Sequence, residues 1–151
     1  MSYDPLYVAH LYYFNHERDY FECHEVLEEL WLREGRSPLY QGLLQVAVGL
    51  YHHRNDNWNG AVKLFTGALQ KLAPYPEDAL GIDLGKLRQE SEIYRAGLEK
   101  AMQAGDLRQH PFHDLTIAII DAALVEQVER LRLHPPEKQE REHEKRTRSN
   151  E

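Results

Sequence analysis

Residues 20–31 read YFECHEVLEELW, and the spacing of their apolar positions decides the fold. At about 100° per residue, Tyr20, Cys23, Val26, Leu27, Leu30 and Trp31 share one continuous arc, the stripe of a helix packed along one face. His24 and Glu28, one turn apart, border that arc, with Phe21 and Leu32 beyond them. Glu22, Glu25 and Glu29 fall on the far side, where the pattern expects water. His24 and Glu28 are therefore expected to be enclosed.

Working outward, the same helical grammar repeats. Asp19 is the expected N-cap, Glu22 its capping-box partner and Gly35 the stop. Upstream, Asp4-Pro5 opens a helix through LYVAHLYYF, and Asn15 to Arg18 makes a polar break. Downstream, Ser37-Pro38 starts LYQGLLQVAVGLYHH, apolar nearly all round and hence central. After the Asn55-Asp56-Asn57 turn, Ala61, Leu64, Phe65, Ala68 and Leu72 mark a fourth helix, ended by Pro74 and Pro76. Asp83 caps a fifth helix to about Ala104, with Leu84, Leu87, Tyr94, Leu98 and Ala101 inward and Gly105 as its stop.

RQHPFHDLTIAII, residues 108–120, fits either an extended segment or a lengthening of the last helix, DAALVEQVERLRL. From Pro135 the chain reads PPEKQEREHEKRTRSNE, with almost nothing to bury, and a disordered charged tail is expected. The expectation is an all-α protein: one compact bundle of about six helices over residues 1–134, then a tail over 135–151. No repeat supports a solenoid.

Composition narrows the function classes. The 151 residues are 42% hydrophobic and 28% charged, right for one soluble domain with a real core. A formal charge of −7, with no basic cluster in residues 1–134, argues against nucleic acid as a partner. The single cysteine, Cys23, allows no intrachain disulfide. With no signal-like N-terminus and no apolar run of about 18 residues, the expected setting is the cytoplasm, away from membranes. The aromatics of residues 7–14 fit either the core or a self-association surface, which leaves a homo-oligomer open.

The polar exceptions on the third helix carry the functional question. Gln41, Gln45 and His52 lie on one stripe, bordered by Gly42 and Gly49, which would let another helix come close. A short connection makes helices two and three antiparallel, and the simplest packing sets this stripe against His24 and Glu28. An unpaired buried polar group costs about 1–3 kcal/mol, so these groups need partners.

Three readings follow. The cluster is an internal hydrogen-bonded network. Or it lines a pocket for a small polar ligand or partner, with Trp31, Tyr20 and Tyr51 as walls. Or His24, Glu28 and His52 ligate a divalent transition metal, a two-His-one-carboxylate set serving a hydrolase. HEVLE is not the zincin HExxH, because Glu28 stands where the second histidine belongs. His53 is expected at the surface, Cys23 in the core, and His110 and His113 in a solvent-exposed loop. No phosphate loop, CxxC pair or GxSxG elbow is present.

FNHERDYFECHEVLEELW, GLLQVAVGLYH and NGAVKLFTGAL together resemble domain-of-unknown-function family 309. Phe14, Asn15, Tyr20, Phe21, Glu22, His24, Glu25, Leu27, Glu28 and Trp31 fit the family's first segment. Gly42, Leu43, Gln45 and His52 fit its second, and Gly60 and Ala61 its third. GIDLGKL at residues 81–87 is in keeping with it. The resemblance spans roughly residues 13–73 and implies a small all-α fold with no assigned reaction, cofactor or partner. It groups His24, Glu28, Gln45 and His52 as one unit. The leading expectation is a non-enzymatic ligand- or partner-binding protein without a cofactor, and the rival is the metal-dependent hydrolase.

Overall fold

The computed structural model describes residues 3–137, and among them six α-helices make up the fold. They are α1 (Pro5–Tyr12), α2 (Tyr20–Arg33), α3 (Pro38–Arg54), α4 (Trp58–Leu72), α5 (Leu84–Gln103) and α6 (Ala122–Leu133). Side-chain caps set most of the starts. Asp4 accepts from the Leu6 N–H at 2.9 Å, Asp19 from Glu22 at 3.0 Å, Asn57 from Gly60 at 3.0 Å and Asp83 from Lys86 at 2.9 Å. Asp121 opens α6 in the same way, accepting from Ala123 at 2.9 Å. Ser37 precedes α3 without a side-chain cap bond, and Pro38 at the first helical position does the pre-organising.

Consecutive helices pack in chain order, α1 on α2, α2 on α3, α3 on α4 and α4 on α5, and α6 returns to α1. The two glycines of α3 face α4. A Cβ on Gly42 would stand 2.6 Å from a Leu72 methyl, and one on Gly49 3.0 Å from the Phe65 ring. The expected close helix approach is there, and α4 makes it. Gly49→Val should cost about 1–3 kcal/mol by pushing on a rigid, fully buried ring, a loss that urea unfolding reads directly. No effect on the midpoint would contradict this packing.

Two local expectations need amending. The chain does not break at Asn15: a π-helical turn, Tyr13–Glu17, carries α1 onward and ends at Arg18 in the left-handed region, φ 56°. The Asp19 N–H bonds the Tyr13 carbonyl at 3.0 Å, so the wide turn satisfies its backbone while swinging α2 round. Residues 110–121 are extended and meet the loop before α5 through an isolated antiparallel bridge, Ile82 to Ile119.

The aromatic run of α1 is core: Tyr7, Leu11, Tyr12, Tyr13 and Phe14 are all buried within this one chain. No helix of the described residues is long and apolar enough to cross a membrane. Of the charged tail expected from Pro135, residues 138–151 lie outside the described residues.

Candidate functional site

The buried polar residues gather on α2 and at the C-terminal end of α3. On α2, His24 is 4% exposed and stands between two carboxylates. Its Nε2 lies 3.1 Å from Glu28 Oε2, the i,i+4 spacing seen in the sequence, and its Nδ1 lies 3.5 Å from Glu25 Oε1. The Phe21 ring is 6.2 Å from the His24 ring and 5.8 Å from Tyr51, so the His24 side of α2 meets the Tyr51–His52 end of α3.

His52 is 5% exposed, and the Asn57 amide N–H donates to its Nδ1 at 3.2 Å. Because an amide nitrogen only donates, this bond leaves the imidazole hydrogen on Nε2. Asn57 thereby fixes one histidine and caps α4 together.

The other expected members go elsewhere. Gln45 packs on α4, its Oε1 3.0 Å from where a Gly67 Cβ would be. Gln41 is half-buried near the start of α3. Tyr20 is buried and donates its hydroxyl to Asp114, and burial followed by that bond raises its pKa above the usual range. Trp31 is half-buried under the Arg36 guanidinium, which sits 5.2 Å from the ring centre. The aromatic flanks of the His24 seam are therefore Phe21 and Tyr51. Among the described residues, no group of three or more His, Cys, Asp or Glu side chains is placed to hold a metal ion. His24, Glu28 and His52 do not meet as the anticipated ligand set.

Helical periodicity misplaced two carboxylates. Glu22, 5% exposed, and Glu25, fully buried, were expected in water, whereas Glu28 keeps 27% of its side chain exposed. The reason is that α2 is covered by α1 on one side and α3 on the other, so its apolar arc understates its buried arc. Cys23 is buried as expected, its thiol 3.5 Å from the His10 carbonyl. Burial raises its pKa well above the usual thiol value, so it carries no thiolate.

A second cluster went unread. His53, expected at the surface, is 3% exposed and hydrogen-bonds the Tyr94 hydroxyl through Nδ1. Its ring stacks 5.5 Å from His110 and meets Trp58 edge-on at 4.5 Å. His110 fits because residue 97 is glycine, where a Cβ would stand 2.4 Å from Nδ1. Burial, then the neighbouring His110, pushes the His53 pKa down to about 4, and burial, then His113, lowers His110. His10 is wholly buried between Tyr7 and Phe14, and neither ring nitrogen finds a hydrogen-bond partner among the described residues. Burial pushes its pKa down to about 3.

An α-helical unit with a His/Glu seam between its second and third helices is the class this geometry defines. Residues 7–64, which carry that seam, match the family described as "Domain of unknown function (DUF309)". The resemblance drawn from the sequence is borne out over that segment. "Uncharacterized protein YpuF" of Bacillus subtilis (strain 168) is 40% identical over 90 residues, 56% of this chain and 52% of that protein. An "Uncharacterized protein" of Aquifex aeolicus (strain VF5) is 32% identical over 73 residues, 46% of this chain and 22% of that protein. The chain thus spans about half of the first relative and about a fifth of the second.

Proposed function

We propose that this chain is a non-enzymatic binding protein whose site is the seam around His24, and that its ligand is a small polar molecule with N–H donors or a positive charge. The observation that carries the reading is one imidazole held by two carboxylates, Glu28 at 3.1 Å and Glu25 at 3.5 Å. Glu28 is the carboxylate that reaches solvent, with 27% of its side chain exposed, so an incoming ligand meets it first. His24 and Glu25 form the floor behind it. The Phe21 and Tyr51 rings offer faces that attract a cation. Cys23, buried and protonated, offers no nucleophile.

The test is calorimetric titration of the full chain with putrescine and with imidazole as probes, repeated on Glu28→Gln. The expected result is saturable binding of at least one probe to the wild type, weakened roughly tenfold or more in the variant while the melting temperature holds. Binding that ignores Glu28→Gln, or no binding at all, would overturn the reading.

A further inference from the structure

Residues 110–121, HPFHDLTIAIID, lie in extended form over the α1–α2 junction and are held there in the manner of a bound peptide. The Asn15 amide grips the Ile117 backbone from both ends, donating to its carbonyl at 2.9 Å and accepting from its N–H at 2.8 Å. Arg18 donates to the Leu115 carbonyl and, at 3.0 Å, to the Thr116 hydroxyl. Tyr20 holds Asp114. On the other edge, the Asp83 N–H bonds the Ala118 carbonyl at 2.8 Å, and the Ile120 N–H bonds the Gly81 carbonyl at 2.9 Å.

Side chains alternate as strand addition requires. Leu115 and Ile117 are buried at 5% and 2% exposure, while Asp114 and Thr116 face water. At the head of the segment, Phe112 lies 6.4 Å from Tyr20 and 5.7 Å from His53, and Arg54 covers its ring at 5.8 Å. Main-chain bonds supply affinity here and alternate pockets supply selectivity.

Asn15, Arg18, Tyr20, His53 and Arg54 all lie within residues 7–64, the part that matches the family, and the segment they hold lies outside it. The connection between them is slight. Residues 103–105 and 107–109 are exposed, and Gly105 turns the chain at φ +67°. Beyond the segment, α6 docks on α1, so segment and helix form one arm.

We propose that this groove is a receptor for the Asp-Leu-x-Ile extended pattern, filled in cis by the chain's own arm and open in trans to the arm of a second copy. The second copy is the occupant because it carries the same Asp114, Leu115 and Ile117, and exchange across the exposed 103–109 connection keeps every bond. Tethering gives the cis arm a high effective concentration, so exchange becomes visible when the cis pairing is broken.

The experiment mixes two full-length variants. Leu115→Asp/Ile117→Asp has a sound groove and a broken arm; Asn15→Ala/Arg18→Ala has the reverse. The expected result is a one-to-one heterodimer by native mass spectrometry and light scattering, with each variant monomeric alone. A fluorescent peptide of sequence HPFHDLTIAIID should bind the arm-broken chain saturably and about tenfold more weakly once Asn15→Ala is added.

If circular dichroism shows the arm-broken chain unfolded, a protease site inserted between Ala104 and Gly105 of the otherwise unchanged chain replaces it. Excess labelled peptide should then displace the cut arm. Peptide binding without a heterodimer overturns the second copy as occupant. A folded or cut chain that takes no peptide overturns the groove.

Discussion

Phe65→Ala should lower the unfolding free energy by about 3–5 kcal/mol, the range for truncating a fully buried phenylalanine. The side chain is completely buried, and its ring lies flat against Gly49 of α3 at 3.0 Å from that residue's would-be Cβ. On its other side the ring stacks on Tyr94 of α5, with centroids 4.9 Å apart and an interplanar angle of 25°. One side chain of α4 therefore joins three helices, and its loss leaves a void that a glycine on one side cannot fill. Such a loss is a large share of the roughly 5–15 kcal/mol by which a domain of this kind is stable. Urea unfolding of wild type and variant measures it, and a difference below about 1.5 kcal/mol would contradict the packing.

The second large effect is with pH. His10 and His53 are buried, and their folded pKa values stand at about 3 and about 4 against an ordinary 6.5. Burial disfavours the charged ring, so the unfolded chain binds more protons than the folded one wherever the pH lies below 6.5. Stability must then fall as the pH drops below 6.5, by about 1.4 kcal/mol per unit for each ring, until its folded value is reached. The lowered pKa of His110 adds in the same direction.

His10→Phe keeps a ring between Tyr7 and Phe14 but has no charge to gain. It should leave the melting temperature at pH 7 unchanged or higher and flatten the acid slope between pH 6.5 and 4. An identical slope in the variant would show that His10 takes no part.

Much of this architecture was legible because its signals are local. Asp4-Pro5, Asp19, Asn57 and Asp83 cap helices in the structure as their sequence positions imply, and the 3.6-residue period of α4 puts Ala61, Phe65, Ala68 and Leu72 in the core. The His24–Glu28 contact was legible for the same reason, being an i,i+4 pair on one helix. What failed was long-range. Glu25 is buried because α1 and α3 both cover α2, a fact no single-helix projection contains.

Gln45 turned to α4 rather than to His24, since the Gly42/Gly49 side of α3 faces that helix. His53 is buried by His110 and Phe112, more than fifty residues along the chain. The one available hint was compositional: HPFH is too rich in rings for an ordinary exposed loop. Asn15, taken for a break, is a clamp whose partner Ile117 lies 102 positions away.

The central claim is that the His24 seam receives a ligand rather than bracing two helices. The most direct measurement is native mass spectrometry with elemental analysis on full-length protein purified without a tag or added metal, run beside His24→Ala. The account predicts a small organic molecule bound one to one in the wild type, absent from a His24→Ala variant that still unfolds cooperatively. A bare wild type, together with a His24→Ala loss as large as that of Phe65→Ala, would contradict it and make the seam a structural brace. Stoichiometric metal lost on the same substitution would contradict it in favour of a metal centre.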